Sequence, residues 1–305
     1  MIRTAIAGAD TPMSGELIRI LINHPDIEIV WAYSPASAGK TLTSVHHGLT
    51  GDTDLLFTSS GLPDDVDLLF IDAESEASLF DVKAIDRPEL KIIDMSHTSI
   101  PPFADNEWIY GLSEIFRKNM VRGGRKVIVP GSIAALALIS LFPLASHLML
   151  SGTIKLSVTA PLDISTPSRL EDSRKEILEI IKQVQLGFNG DVEIDYTPTA
   201  PEKFREIRVS TVMPLLADIN TIRELYEKTY SDHNFSFIAD SPVSTDEVTG
   251  TDKCIISLYE TDGKLTIDSV SDCRMRGGAG DAVHAMNLIY GLHEKTGLYL
   301  KAHKY

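Results

Sequence analysis

Basic residues are scarce in this sequence. Its 305 residues carry 28 Lys and Arg against 43 Asp and Glu, a formal net charge of -15. Without a basic surplus nothing neutralises a phosphate backbone, which argues against a nucleic-acid partner. Cysteine is nearly absent: Cys254 and Cys273 are the only two. They cannot make a disulfide framework, and a reducing cytoplasm is the expected compartment. No apolar run reaches the ~18 residues that a membrane span needs. The longest, residues 133–150, is interrupted by Ser140, Pro143, Ser146 and His147, so no membrane partner is expected. The opening MIRTAIAGAD has no apolar segment followed by a cleavage site, so no signal peptide is expected. No His and Cys spacing fits a metal centre, and there are no repeats or low-complexity segments.

What is present is ordinary globular composition, 43% apolar, in a length that suits two domains. The chain is organised around residues 127–144, VIVPGSIAALALISLFPL. A short β-branched run meets Pro130-Gly131 and then a long Ala/Leu/Ile run, which reads as strand, sharp turn and buried helix. Ser132 therefore stands at or just before a helix N-terminus. Backbone N–H groups converge there and favour negative charge. A side chain in that place can be a nucleophile, because a developing anion is stabilised. The simpler alternative is that Ser132 only caps the helix.

Ile2 to Ala7 reads as a buried parallel strand. A turn with Gly8 and Gly15 follows, then a helical run from Glu16. Strand, glycine-containing turn and helix open a dinucleotide fold, in which the backbone approaches a pyrophosphate at a helix N-terminus. The spacing is not G-x-G-x-x-G, and a bare strand-to-helix turn is the alternative. Ile27 to Tyr33 is a second strand whose tip, Ser34-Pro35-Ala36-Ser37-Ala38-Gly39-Lys40, has no acid. An acid there would hold an unphosphorylated ribose, so Ser34, Ser37 and Lys40 lean towards NADP, with NAD possible; a polar surface loop is the alternative. Residues 67–71 and 91–95 are further strands. Strands alternating with helices up to Val129 give a mostly parallel sheet with helices on both faces.

After Leu150 the texture changes. Thr153 to Ala160 alternates with period two, and residues 171–188 form an amphipathic helix. Residues 192–196, 204–213, 254–259 and 265–270 read as longer, half-exposed strands, and 221–230 as a helix. This is an α+β domain on an antiparallel or mixed sheet. Residues 277–291 are helical after a glycine-rich start, and 240–252 read as a loop.

Taken together, these stretches resemble N-acetyl-gamma-glutamyl-phosphate reductase, within the semialdehyde dehydrogenase group. The resemblance runs in order along nearly the whole chain. It is carried by IAGADTPMSGELIRILINHPDIEI, SAGKTLTSVHHGLTG, DVDLLFIDAESEAS, IIDMSH, IYGLSEIFR, the ungapped 127–144 stretch, GTDKC and RGGAGDAVHAMNLIYGLHEKTGL. It implies an α/β Rossmann-like nucleotide-binding domain plus an α+β catalytic and dimerisation domain of the semialdehyde dehydrogenase type. The domains would be 1–131 with 278–305, and 132–277. It implies reduction of an acyl phosphate to a semialdehyde with NADPH, in arginine biosynthesis, through a Cys nucleophile and a His that assists proton transfer. The implied cofactor contacts are Gly8, Asp10, Thr11, Pro12, Met13 and Ser14 of the first turn, Ser34, Ser37 and Lys40 after the second strand, and Gly278. Glu114 and Arg169 are the implied substrate-pocket residues. A small-molecule ligand and a second copy of the chain, in a homodimer or higher homo-oligomer, are the implied partners.

The departures fall on the chemistry. Ser132 stands at the nucleophile position, and Ile133-Ala134-Ala135 replace the family's Tyr-Pro-Thr. No His occurs between Leu148 and Asp232, where the family's basic His belongs. Thr11 and Ser14 stand where the family prefers Gly. A thiol is partly ionised at neutral pH, whereas a serine hydroxyl needs an adjacent base. Catalysis is therefore expected to be impaired or lost, leaving a nucleotide- or ligand-binding paralogue or a dimeric scaffold as alternatives. Cys254 and Cys273 are expected to be buried and inert. His46, His47 and His97 are expected on the surface or capping, and His147 packed.

Overall fold

The structure, a computed structural model, describes residues 1–72, 85, 87–96 and 107–302. The chain forms two compact units, Met1–Pro130 with Gly278–Tyr299, and Gly131–Gly277 with Leu300–Tyr305. The resemblance implies 1–131 with 278–305 for the first domain, which puts Gly131 there. Gly131 falls in the second because it is the N-cap of a helix that belongs there.

The first unit is built on six parallel strands: β1 (Ile2–Ala7), β2 (Ile27–Tyr33), β3 (Leu68–Ile71), β4 (Lys91–Asp94), β5 (Trp108–Tyr110) and β6 (Lys126–Ile128). Their order is β2-β1-β3-β4-β6-β5. All four residues of β3 are buried, as a central parallel strand covered on both faces requires. The order reverses between β1 and β3, and ligands of such sheets bind at the carboxyl ends of the strands beside that switch point. Helices α1 (Pro12–Leu21) and α2 (Ser113–Val121) belong to this unit.

The second unit carries helices α3 (Ser132–Ser146), α4 (Pro167–Val184) and α5 (Ile219–Tyr230). Its strands are β7 (Thr153–Ala160), β8 (Asp191–Pro198), β9 (Glu206–Pro214), β10 (Ser236–Ala239), β11 (Cys254–Thr261) and β12 (Lys264–Asp272), in the order β10-β11-β12-β9-β7-β8. The sheet is mixed: β7 and β8 pair parallel, as do β10 and β11, and the remaining pairs are antiparallel. β7 alternates exposed and buried residues, as its sequence predicts. β12 does not. It is buried from Leu265 to Asp272 because it is central in the sheet and its polar side carries covered ion pairs. Asp268 accepts from Arg208, whose other arm donates to the Val243 carbonyl at 2.8 Å. Asp272 accepts from Arg205 and from the Gly250 amide, each at 2.7 Å.

Helix α3 is apolar all round and almost wholly buried, which is why its sequence shows no amphipathic stripe. It packs against β9, β12, α4 and α5. Pro143 lies inside it and has no N–H to give the Ile139 carbonyl. The Tyr230 hydroxyl of α5 donates to that carbonyl at 2.5 Å, and Tyr226 donates to the Ser140 carbonyl at 2.6 Å. Two tyrosines one helical turn apart thus satisfy the backbone that the proline disturbs.

The chain then returns to the first unit through a single π turn, Met275–Ala279, into α6 (Gly280–Ile289). Asn287 Oδ1 of α6 accepts from His24 Nε2 at 3.1 Å, and its Nδ2 donates to the carbonyls of Glu294 and Thr296. Burial lowers the pKa of His24, favouring its neutral form. Among the described residues, no helix is long and apolar enough to cross a membrane.

Candidate functional site

The first turn of the first unit is held by β2. Gly8, at φ +82°, and Ala9 both donate their amides to the Tyr33 carbonyl, at 3.0 and 2.9 Å. A positive φ suits glycine, and the missing Cβ lets a ligand approach the backbone. Thr11 is the N-cap of α1: its Oγ1 accepts from the Ser14 amide at 2.9 Å and donates to Asp72 Oδ2 at 2.5 Å. Pro12 follows and has no N–H, while the Gly15 amide donates to the Thr11 carbonyl. The helix end is therefore largely satisfied from within. Buried Asp72 adds a negative charge there, which weakens the pull on an anion. Thr11, which stands where the family prefers Gly, is thus a capping residue here.

His46 completes the turn. Its Nε2 lies 2.7 Å from the Ala9 carbonyl, and a Cβ on Gly15 would meet its Nδ1 at 2.5 Å. A side chain at Gly15 would therefore displace the His46 ring. Met13 and Ser14 are buried, so their side chains belong to the core, whereas Pro12 is exposed.

A polar pair stands where β2 ends. Ser34, buried, donates its hydroxyl to Asp10 Oδ2 at 2.7 Å. Asp10 Oδ1 is buried without a hydrogen-bond partner. Such an acceptor costs about 1–3 kcal/mol or more until a donor reaches it. A glycine turn and an orphaned acceptor fit the ribose end of a dinucleotide. Ser37 is buried beside them and Lys40 is solvent-exposed. Gly278 belongs to the π turn before α6.

The second centre lies within the second unit. Ser132 is the first residue of α3, and Gly131 rather than Ser132 is the N-cap. The Ser132 hydroxyl donates to the carbonyls of Cys273 at 2.8 Å and Gly277 at 3.2 Å. It is 7% exposed. Neither carbonyl is a base that could take its proton. Glu176 of α4 stands at the same helix end, with Oε1 accepting from the Gly131 amide at 3.3 Å. A carboxylate there already meets the positive end of α3. Gly277, at φ +67°, presses on the first turn: a Cβ on it would lie 2.3 Å from Ser132 Cα.

The relatives of this chain agree with that architecture. A family model described as semialdehyde dehydrogenase, NAD binding domain, matches residues 3–122. N-acetyl-gamma-glutamyl-phosphate reductase of Parabacteroides distasonis is 34% identical over 321 residues, covering 99% of each chain. That of Bacteroides fragilis is 35% identical over 321 residues, again with 99% of each covered. The chain belongs to the N-acetyl-gamma-glutamyl-phosphate reductase family. At the level of fold, a probable aspartate-semialdehyde dehydrogenase of Pseudomonas aeruginosa superposes with a TM-score of 0.69 at 15% identity, covering 95% of this chain and 98% of that one. Aspartate semialdehyde dehydrogenase of Candida albicans, solved with NADP, gives 0.68 at 11% identity, covering 95% and 98%.

Within this reductase-family chain the remaining sequence candidates separate. Glu114 is buried in the first unit, where Ser113 donates to it at 3.2 Å. Arg169 lies in the first turn of α4 in the second unit, half-buried, and its amide donates to the Thr166 cap. Both cysteines are buried, and burial pushes the Cys273 thiol up to about 12, which makes it a poor nucleophile. His147, expected to pack, is exposed one residue past the end of α3. His97 lies outside the described residues. The sequence reading missed Asp72, His46 and Glu176, which reach their sites from positions dozens of residues away.

Proposed function

We propose that this member of the reductase family binds an NAD(P)-type dinucleotide and an acyl-phosphate-like small molecule without the covalent reduction typical of a cysteine nucleophile. The observation that carries this is the Ser132 hydroxyl, whose proton is directed at two backbone carbonyls rather than a base. The Glu176 carboxylate supports it, because like charge disfavours an anion forming at the start of α3. When bound, the nicotinamide would supply hydride. The chain's own part is to hold the ribose end at Asp10 and Ser34 and to bring backbone up to the ligand at Gly8. For the cofactor, the loop after β2 leans towards NADP only in its lack of an acid along the chain, while the Asp10–Ser34 pair favours NAD.

The test is an assay of N-acetyl-gamma-glutamyl phosphate with NADPH and NADH, run beside calorimetric titration of both cofactors. The expected result is saturable cofactor binding with no turnover above the reaction without protein. Robust turnover abolished by Ser132→Ala would overturn the proposal and make Ser132 the nucleophile.

We also propose that the second unit pairs with that of another copy. Val212, at 55% exposure, and Leu216 leave apolar surface at the end of β9 and just after it, which favours association. Sedimentation is expected to show a dimer; a concentration-independent monomer would remove the proposal.

A further inference from the structure

We infer that Asp10, anchored by Ser34, makes the first unit select a dinucleotide whose adenosine ribose carries a free 2′-hydroxyl and reject one carrying a 2′-phosphate. This rests on the reading that the first unit binds NAD(P). In folds of this kind the adenosine ribose lies at the tip of the second strand, where an acid accepts from its hydroxyl and an Arg accommodates a phosphate. Read along the chain, the tip of β2 has no acid. In space it has one, because the turn after β1 is tied to Tyr33 and brings Asp10 to Ser34.

Three features of the pair point the same way. The Ser34 hydroxyl spends its proton on Asp10 at 2.7 Å and so has none to give a phosphate oxygen. Asp10 Oδ1, buried and without a partner, calls for a donor. A ribose hydroxyl is a donor; a phosphate dianion offers only acceptors and brings like charge against the carboxylate. The compensating cation is also missing: residues 33–41 contain no Arg, and Lys40 is in solvent. The same turn already carries Asp72 on Thr11.

The experiment is calorimetry on the full chain with NADH and NADPH, repeated with adenosine 5′-monophosphate and adenosine 2′,5′-bisphosphate to isolate the ribose. NADH is expected to bind at least about tenfold tighter than NADPH, and the monophosphate tighter than the bisphosphate. Asp10→Asn is expected to narrow the gap several-fold, mostly by strengthening NADPH. Ser34→Ala, which removes the anchor, is expected to weaken NADH while leaving NADPH nearly unchanged. Equal affinities, or tighter NADPH, would overturn the inference and leave the reading of the first unit as a cofactor domain intact. An Asp10→Asn protein that folds and keeps the full gap would overturn it too. Failure of both NADH and NADPH to bind would overturn the reading and the inference together. The unmutated protein alone decides the sign, so a variant that does not fold leaves the test standing.

Discussion

Ser132→Cys is expected to install a thiol that outpaces both native cysteines towards an alkylating probe, yet does not restore reduction of an acyl phosphate. The rate difference follows from ionisation. Burial pushes Cys273 up to about 12, whereas a thiol at position 132 would stand at the amide end of α3, which favours its ionised form. Glu176 opposes that, with its carboxylate on the Gly131 amide one residue earlier. Ser132→Cys combined with Glu176→Gln is therefore expected to alkylate a few-fold faster than Ser132→Cys alone. Turnover should stay absent in both, because general acid–base assistance is typically worth roughly 10²–10⁴-fold. Quenched alkylation followed by mass spectrometry gives the site-resolved rates. Equal rates with and without the Glu176 change would show that this carboxylate does not govern the helix end. Turnover on introducing the thiol alone would show that the rest of the machinery survived.

These sites were legible in the sequence to different depths. The ungapped run from Val127 to Leu144 placed Ser132 at the start of a buried helix, because a strand, Pro-Gly and an all-round apolar run allow little else. Most of the parallel strands were legible for the same reason: β3 is a continuous apolar run and β1 is mostly apolar, whereas the three-residue β5 left no such pattern. What surrounds Ser132 was not legible. Glu176 lies in an amphipathic helix where acids are the rule on the solvent side, and no local pattern marks the one that turns to the Gly131 amide. The tip of β2 shows the same limit. Its linear composition lacks an acid, and Asp10 becomes its acid only through backbone bonds from Gly8 and Ala9 to Tyr33. Periodicity also failed on β12, since a central strand covered by Arg205, Arg208 and the loop near Val243 hides its polar side. Hydrophobic pattern reports which face meets a core; it does not report which charged side chains are covered by paired neighbours.

Gly277→Ala is expected to destabilise the second unit by about 2–5 kcal/mol, a large part of the 5–15 kcal/mol typical of a folded domain. Two costs add. The residue sits at φ +67°, where a Cβ costs roughly 1–2 kcal/mol in the left-handed region. That Cβ would also stand 2.3 Å from Ser132 Cα and 2.5 Å from its nitrogen, so backbone must move, and overpacking of this kind costs about 1–3 kcal/mol. Gly152→Ala is the matched control. It has φ +64° in the same unit but open space around its Cβ, so it should show the conformational cost alone. Urea unfolding of the two variants separates the terms: both midpoints fall with the slope unchanged, and Gly277→Ala falls further. The hydroxyl of Ser132 supplies a second readout. It donates to the Gly277 carbonyl, so displacement of the turn loosens Ser132 and should raise hydrogen exchange at the start of α3 in Gly277→Ala but not in Gly152→Ala. Equal destabilisation by the two substitutions would mean that the turn at Gly277 yields freely, and that Ser132 is not boxed in by it.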